Sequence, residues 1–274
     1  MSAHRSTYHF QSFDNREEAE LLRLREQALM GWNNQFRTMV GLGLQDGMKV
    51  LEVGSGPGFI TEKLLEDLPG SEITALDIDE VLLNGARQRL SHIPASRLQW
   101  VQASVYETGL PEGQYDIVIA RLLFLHLHQP LEAAAELKRV LKPGGKLLIV
   151  DIDDGIFGAV HPEIDLLHSL LSKLTKRQAA SGGNRHIGRG LPRLLTQAGF
   201  ADVDMDACVQ HSDLHGIEGF KRQFDIERFT SPLKAGLITE SEYEQLSRSY
   251  AQFVQSPDAY AMMIYLLASG TKPE

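Results

Sequence analysis

A glycine-rich turn between an apolar run and a helical pattern carries the first residues that could do chemistry. The apolar run contains one acid, Glu52, and glycines follow at positions 54, 56 and 58. Because glycine has no Cβ, such a turn lets the backbone approach a ligand closely. The helix that begins at Phe59 offers free N–H groups to a polar or negative ligand group. This stretch therefore predicts the strand, turn and helix that open a nucleotide-binding α/β sheet.

The spacing of these glycines differs from that of a dinucleotide-binding turn. That motif is G-x-G-x-x-G, whereas here the third glycine comes one residue early and Phe59 stands where the motif needs glycine. The departure counts against an NAD-type oxidoreductase, which remains the first alternative on the same fold.

A second acid lies where a nucleotide-binding sheet holds a ribose. Residues 72–76 form the predicted second strand, which ends in Asp77. In a βαβ unit, an acid at this distance from the glycine turn accepts hydrogen bonds from the ribose hydroxyls. The alternative is an acid in an ordinary loop, but the position at a strand end favours ribose binding.

The elements that must position these residues alternate along the first half of the chain. Further strands are predicted over residues 98–103, 115–120 and 146–150, with helices between them and a turn at residues 142–145. This alternation is typical of a doubly wound, mostly parallel sheet with right-handed crossovers. Ligands of such sheets bind beyond the carboxyl ends of the strands. The residues at those ends are Gly54, Asp77, Ser104, Arg121 and Asp151.

Helical patterns stand before and after this core. Residues 16–30 and 32–42 form a predicted helical segment that either covers the sheet edge or closes over the ligand as a lid. In the second half, helical patterns cover residues 161–179, 217–229 and 239–255, and strands are predicted over 200–209 and 259–268. We expect the inserted helices to cap the substrate, because insertions gather at the crevice end of such sheets.

The successive motifs resemble those of small-molecule class I methyltransferases, which depend on S-adenosylmethionine (SAM). The matching stretches, in order and in spacing, are Val50–Gly58, Ala75–Asp79, Gln102–Val105, Tyr115–Val118 and Leu137–Gly145. The resemblance implies a Rossmann-like α/β fold with seven strands, the last of them antiparallel. It also implies one domain in three parts: a helical lid over residues 1–44, a SAM-binding core over 45–152, and the rest of the sheet with the inserted cap over 153–274.

The resemblance further implies a set of cofactor-binding residues. They are Tyr8, Gln27, Glu52, Gly54, Ser55, Gly56, Asp77, Ile78, Ser104, Val105 and Arg121. The family usually has an acid where Ser104 stands; a hydroxyl can also accept a hydrogen bond from the adenine amino group, more weakly. Arg121 holds either the cofactor carboxylate or a backbone position. The alternatives for Tyr8 and Gln27 are a surface tyrosine and an ordinary helix glutamine.

Methyl transfer needs few catalytic groups, so no catalytic residue is assigned from the sequence. The reaction is an in-line displacement that depends on alignment and exclusion of water, and a base is needed only if the acceptor must lose a proton. His126 follows the fourth strand and is a candidate base, although a structural role is the alternative. His161, His186 and His211, in loops or at element ends, are candidates of similar or lower standing. No spacing of His, Asp or Glu indicates a metal site.

Length, composition and charge limit the function classes. A chain of 274 residues suits one α/β domain with insertions. Its net charge of -9 counts against broad binding of nucleic acid. The single cysteine, Cys208, excludes an intramolecular disulfide, and no apolar run is long enough to span a bilayer, so a cytoplasmic setting is expected. We expect a monomer or a homodimer, which the sequence does not distinguish.

The expected function is methyl transfer from SAM to an O, N or S atom of a small organic acceptor, such as a natural product. A second alternative is a non-catalytic SAM-binding subunit, which the same glycine turn and Asp77 would also serve.

Residues 173–193 carry several basic side chains and no acid. They form either a solvated surface, or a docking surface for an anionic substrate around Arg185 and Arg189, or a gate hinged at Gly182 and Gly183.

Overall fold

A mixed β-sheet with helices on its faces organises the chain. The computed structural model describes residues 6–8, 17–156, 158–224 and 226–274. Within these residues the strands are β1 Lys49–Val53, β2 Glu72–Asp77, β3 Leu98–Gln102, β4 Tyr115–Arg121, β5 Leu141–Asp151, β6 Gly158–His161, β7 Ala201–His211 and β8 Tyr260–Thr271. The helices are α1 Glu17–Met30, α2 Trp32–Gly41, α3 Phe59–Asp67, α4 Glu80–Arg89, α5 Pro130–Val140, α6 Leu167–Ala180, α7 Leu191–Gln197, α8 Ser212–Phe224, α9 Thr230–Lys234 and α10 Glu240–Gln255.

The strand order confirms the predicted fold class. The path through the sheet is β3-β2-β1-β4-β5-β8, and the first five strands pair in parallel. β8 runs antiparallel to β5, and β6 and β7 both pair antiparallel with β8. The carboxyl ends of β1, β2 and β4 therefore lie at one edge, as the doubly wound arrangement requires.

The central strands read as continuous apolar runs because helices cover both faces of the sheet. Val50, Leu51 and Val53 of β1 are fully buried, and so are Val118, Ile119 and Ala120 of β4. Burying side chains on both faces removes a large apolar area from water and stabilises this layer. It also holds the strand ends, and the residues on them, in fixed positions.

β6 was not predicted from the sequence. It has only four residues, and its side chains alternate between half-buried and exposed, so it carries no apolar run. Because Gly158–His161 pairs with β8, the helix predicted from His161 begins only at Leu167.

The turn predicted at residues 142–145 lies instead within β5. The pairing of β4 with β5 is irregular here, between Tyr115 and Ile117. A Cβ on Gly145 would lie 2.9 Å from the Lys142 carbonyl oxygen and 3.0 Å from that of Asp116. Glycine therefore permits the close approach of the backbones at this irregularity.

Several helix boundaries agree with local capping signals. The Asp79 side chain accepts hydrogen bonds from the N–H groups of Val81 and Leu82 at the start of α4. Thr239 and Glu242 form the predicted capping box of α10. The helix predicted over residues 217–229 is broken: α8 has a kink at Gly216, residue 225 lies outside the described residues, and a 3-10 turn covers Ile226–Phe229.

The two N-terminal helices pack onto the core. Residue 16, the predicted start of the first helix, lies outside the described residues. Trp32 is buried and donates from Nε1 to Asp67 Oδ2 of α3 at 2.5 Å. Asn34 donates from Nδ2 to the Val209 carbonyl oxygen of β7 at 3.0 Å. Across the described residues, none of the helices combines the length and apolar character needed to cross a membrane.

Candidate active site

The glycine turn after β1 is fixed to the end of β2. The N–H groups of Gly54 and Ser55 both donate to the Leu76 carbonyl oxygen, at 2.8 and 3.1 Å. Gly54 and Gly56 have φ angles of 69° and 52°, which strain any residue with a Cβ. A Cβ on Gly56 would meet no atom within 4 Å, so open space borders the backbone here. The turn thus has the shape of a cradle with room for a ligand.

Asp77 lies directly against this turn. It is 9% exposed, its Oδ2 accepts the Gly56 N–H at 2.6 Å, and its Oδ1 accepts the Asp79 N–H at 2.9 Å. Burial raises the pKa of the carboxyl, and these backbone bonds oppose the rise. Each carboxylate oxygen keeps a further lone pair that could accept from a ligand hydroxyl.

Glu52 is a buried acid below the turn. Its Oε2 accepts the Thr61 hydroxyl at 2.6 Å. Burial raises the pKa of Glu52 to about 8; the Thr61 bond opposes this, Asp77 adds to it and Arg121 opposes it. Glu52 is therefore largely a neutral carboxylic acid at pH 7.

Ser55 supplies a buried polar atom in the same turn. The residue is 6% exposed, and within the part of the chain that the structure describes its Oγ has no hydrogen-bond partner. Buried polar atoms are normally paired, so an orphaned hydroxyl at a cradle indicates a place for a polar ligand group.

The ends of β2 and β3 carry the other residues expected near an adenine. Ile78 follows Asp77 and is 58% exposed, whereas Val105 is buried. Ser104 Oγ accepts the Tyr106 N–H at 3.3 Å, so part of its accepting capacity is already used within the chain. These side chains offer one apolar surface and one hydroxyl at neighbouring strand ends.

Arg121 ties the N-terminal helices to the end of β4. Its Nε donates to Gln35 Oε1 at 2.8 Å, and its Nη2 donates to the Gln27 carbonyl oxygen at 2.8 Å. Its guanidinium lies 5.7 Å from the centre of the Tyr265 ring. Burial lowers the pKa of Arg121. In these contacts Gln27 takes part through its main chain.

Gln35 was missed by sequence reasoning. It is fully buried in α2, and its Nε2 has no hydrogen-bond partner among the described residues. Helical periodicity gives no signal for such a contact, because Arg121 is 86 positions away in the chain.

Tyr8 belongs to a polar cluster with α1. Its hydroxyl donates to Glu20 Oε1 at 3.0 Å, and Arg23 donates to both oxygens of Glu20 at 2.7 Å. Burial and then the charge of Glu20 raise the pKa of Tyr8, so the phenol stays protonated. The cluster fixes Tyr8 to the first turn of α1.

His126 adjoins Tyr8 in a 3-10 turn after β4, over Phe124–His126. The centres of the Tyr8 and His126 rings are 5.5 Å apart. The Thr7 N–H donates to the His126 carbonyl oxygen at 3.0 Å, and Thr7 Oγ1 lies 2.9 Å from His126 Nδ1. The structure thus brings the predicted residues Tyr8 and His126 together.

The carboxyl end of β5 supports this turn. Asp151 is fully buried and its Oδ2 accepts the Leu125 N–H at 3.0 Å. Burial raises the pKa of Asp151 to about 7, against the opposing hydrogen bonds of Ile152 and Leu125. Asp151 therefore acts as an anchor for the backbone of residues 124–126.

Two neighbouring acids hold the glycine-rich loop of residues 181–190. Both carboxylate oxygens of Asp153 accept hydrogen bonds from Arg189, and Asp153 Oδ1 lies 3.1 Å from His186 Nδ1. Asp154 accepts two hydrogen bonds from Arg185, from Nε to Oδ2 at 2.5 Å and from Nη2 to Oδ1 at 3.0 Å. Burial alone would raise the pKa of Asp153, but the bonds from Arg189, the Gly155 N–H and His186 lower it to about 2. The arginines weighed as a docking surface for an anionic substrate are thus engaged in internal ion pairs.

Two other candidate histidines lie at strand ends. His161 ends β6, and His211 ends β7 with its ring 6.3 Å from that of Tyr260. Within the described ranges, no group of three or more His, Cys, Asp or Glu side chains is placed to hold a metal ion.

Comparison with known families and sequences gives consistent matches. Residues 51–149 match a family described as a methyltransferase domain. The malonyl-[acyl-carrier protein] O-methyltransferase of Halalkalibacterium halodurans is 28% identical over 210 residues, which cover 75% of this chain and 72% of that protein. The ubiquinone/menaquinone biosynthesis C-methyltransferase UbiE of Cereibacter sphaeroides is 31% identical over 130 residues, covering 47% and 48%. The chain spans about half the length of most of the curated relatives it matches.

Solved structures share the fold. Phosphoethanolamine N-methyltransferase 2 of Haemonchus contortus, in complex with S-adenosyl-L-methionine, superposes with a TM-score of 0.61 at 16% identity, covering 98% of this chain and 61% of that one. A Haloferax volcanii complex of the Trm112 methyltransferase activator with a methyltransferase gives a TM-score of 0.59 at 16% identity, covering 99% and 100%. At these identities the likeness concerns the fold alone.

Proposed function

We propose that this chain binds SAM and transfers its methyl group to a small organic acceptor. The basis is that residues 51–149 belong to the class I SAM-dependent methyltransferase family. The observation that carries the proposal is the glycine cradle closed by Asp77. The turn combines open space beside Gly56, an Asp77 oxygen 2.6 Å from the Gly56 nitrogen, and a Ser55 hydroxyl that has no partner among the described residues.

The residues of this cradle fit the groups of SAM. Asp77 would accept hydrogen bonds from the ribose hydroxyls, and the exposed Ile78 would lie against the adenine ring. Ser104 and the Val105 N–H could form hydrogen bonds with the edge of the adenine. Glu52, Tyr8 and Gln27 would line the methionine end. Bound there, SAM supplies an electrophilic methyl group on sulfur; the chain's residues align it and exclude water.

The acceptor is proposed to be a small molecule, such as a natural product, that is methylated on O, N or S. In this proposal the helices α6 and α8–α10 cap the acceptor. The net charge of -9 disfavours a polyanionic substrate. The relatives named above act by O-, C- or N-methylation according to their names, so they do not select one acceptor atom. A cytoplasmic monomer or homodimer remains part of the proposal.

Titration calorimetry with S-adenosylhomocysteine, and with NAD in parallel, tests the cofactor. We expect binding of S-adenosylhomocysteine alone, and at least tenfold weaker binding, about 1.4 kcal/mol, for Asp77→Ala, since this variant loses the ribose acceptor. Asp79→Ala is the matched control, because it removes a neighbouring carboxylate that caps α4.

The outcomes separate the proposal from its alternatives. NAD binding alone would contradict the proposal, and equal affinities for the Asp77 and Asp79 variants would contradict the role of Asp77. Binding of S-adenosylhomocysteine without turnover of SAM across a panel of O, N and S acceptors would favour a non-catalytic SAM-binding subunit.

A further inference from the structure

Gln178 of α6 contacts the turn after β4 that carries His126. Its Nε2 lies 3.0 Å from the Leu125 carbonyl oxygen, 3.3 Å from Thr7 Oγ1 and 3.3 Å from His126 Nδ1. Its Oε1 lies 3.5 Å from Arg185 Nη1. A carbonyl only accepts and a guanidinium only donates, so these two neighbours decide which end of the amide is nitrogen.

The second N–H of this amide points at Thr7 and His126. One hydrogen of Nε2 goes to the Leu125 carbonyl, which leaves the other facing Thr7 Oγ1 and His126 Nδ1. With a proton on Nδ1, both that N–H and Gln178 Nε2 would donate to Thr7 Oγ1, and the Thr7 hydroxyl proton would have no acceptor among the described residues. With a lone pair on Nδ1, Gln178 donates to Thr7 Oγ1 and the Thr7 hydroxyl donates to Nδ1 at 2.9 Å, so each group in the chain is satisfied.

We propose that Gln178 is a positioning residue that holds neutral His126 as the tautomer protonated on Nε2, and that it links the cap helix α6 to the N-terminal segment of residues 6–8. The link runs through Thr7, whose N–H also bonds the His126 carbonyl oxygen. The neighbouring residue Ser6 forms an antiparallel bridge with Leu127.

The glycine-rich loop makes this arrangement possible. A Cβ on Gly183 would lie 2.8 Å from the Leu125 carbonyl oxygen and 2.9 Å from Gln178 Nε2. The Asn184 N–H donates to the same carbonyl at 2.8 Å. Arg185, which faces Gln178 Oε1, is itself held by Asp154. The ion pairs of the loop therefore orient the amide that orients His126.

The tautomer limits what His126 can do in methyl transfer, a consequence that depends on the function proposed above. A neutral imidazole with a proton on Nε2 can donate from that nitrogen but cannot accept a proton there. It can take a proton only at Nδ1, by breaking its contact with Thr7. With this tautomer Nε2 of His126 can serve as a hydrogen-bond donor but not as a base, so a methyl acceptor that needs deprotonation must lose its proton to another group.

Nitrogen-15 NMR of the histidine-labelled full chain tests the assignment without cofactor, at about pH 8, above the usual histidine pKa of about 6.5. His126→Gln assigns the signal, because protonated and unprotonated ring nitrogens differ widely in shift. We expect an Nε2–H preference of at least about fivefold, as one hydrogen bond would give. Gln178→Met should reduce that preference, and Thr7→Val should do the same.

Two further variants keep the test decisive. Gln178→Glu puts an acceptor beside Nδ1 and should move the proton from Nε2 to Nδ1, a reversal that loss of packing would not produce. Gln197→Met, at an exposed position of α7, should leave the tautomer unchanged. An Nδ1–H form in the unsubstituted chain, or equal populations in all Gln178 variants, would overturn the proposal. Because no methyl transfer is measured, this outcome is independent of whether the chain binds SAM.

Discussion

At the scale of single residues, buried carboxyl groups dominate the electrostatics of the site. Glu52 and Asp151 are both buried at strand ends, and burial raises the pKa of each, to about 8 and about 7. Burial also raises the pKa of Asp77, but hydrogen bonds from the backbone N–H groups of Gly56 and Asp79 oppose the rise. The cradle therefore carries less negative charge at neutral pH than its residue types alone suggest.

Glu52 gives a pH dependence that can be measured. Its pKa rises from 4.5 to about 8 on folding, so the native state binds more protons between these values, and the free energy of unfolding falls as pH rises. The test is Glu52→Gln, because an amide side chain does not titrate and its oxygen still accepts from Thr61. The free energy of unfolding of the variant, relative to that of the unsubstituted chain, should rise by more than about 1 kcal/mol between pH 5 and pH 8. Urea unfolding at the two pH values measures this difference.

The control for this measurement is Glu112→Gln, which removes the same charge at an exposed position. Its difference from the unsubstituted chain should change little over the same range. A flat difference for Glu52→Gln as well would mean that Glu52 is ionised in the folded protein throughout.

At the scale of elements, the glycine-rich loop is held by charges at the end of β5 rather than by secondary structure. Asp153 binds Arg189 and His186, and Asp154 binds Arg185 and accepts the Thr175 hydroxyl at 2.6 Å. The loop also bonds to the turn after β4 through Asn184. These contacts give residues 181–190 a defined position beside the candidate site.

Asp153→Asn tests this anchorage. Because the folded pKa of Asp153 lies at about 2, below its ordinary value of 3.8, its contribution is fully present at higher pH and is lost as pH falls through 2. We expect the variant to be less stable by about 1–3 kcal/mol at pH 7. The difference should shrink when denaturant unfolding is repeated at pH 3.

Asp258→Asn serves as the matched control, because Asp258 is exposed. It should change the free energy of unfolding by less than about 0.5 kcal/mol. Equal effects of the two substitutions would show that the ion pairs of Asp153 contribute nothing measurable.

At the scale of the whole molecule, polar contacts join the N-terminal helices to the sheet. Arg121 connects β4 to α1 and α2, and Tyr8 connects the N-terminal segment to α1. The proposed lid over residues 1–44 would therefore respond to a ligand in the cradle through contacts that already exist.

Hydrogen exchange with and without S-adenosylhomocysteine measures this response. We expect slower exchange at residues 54–58, which would contact the ligand, and in α1 and α2, which the ligand would hold closed. The edge strand β7 serves as the internal reference, with unchanged exchange at residues 203–207. Protection of the glycine turn without any in residues 17–41 would contradict the lid interpretation and leave these helices as a cover of the sheet.

Local signals in the sequence predicted much of the fold. The strand, glycine turn and helix around Gly54–Gly58, the cap at Asp79 and the capping box at Thr239 each involve residues a few positions apart. Periodicity and propensity act at this range, so the order of the main elements and the fold class follow from them. The sequence did not predict the short strand β6, because its stability comes from pairing with β8 and not from its own four residues.

The sequence by itself determined the class of fold, and it predicted the cradle residues and their ligand chemistry. Only the tertiary structure decided that Arg121 binds Gln35 and the Gln27 carbonyl, that Arg185 and Arg189 face acids, and that Gln178 meets Thr7 and His126. Gln178 and Thr7 are 171 positions apart. Such contacts depend on how whole elements pack, and burial then decides which polar groups must be paired, which no local pattern records.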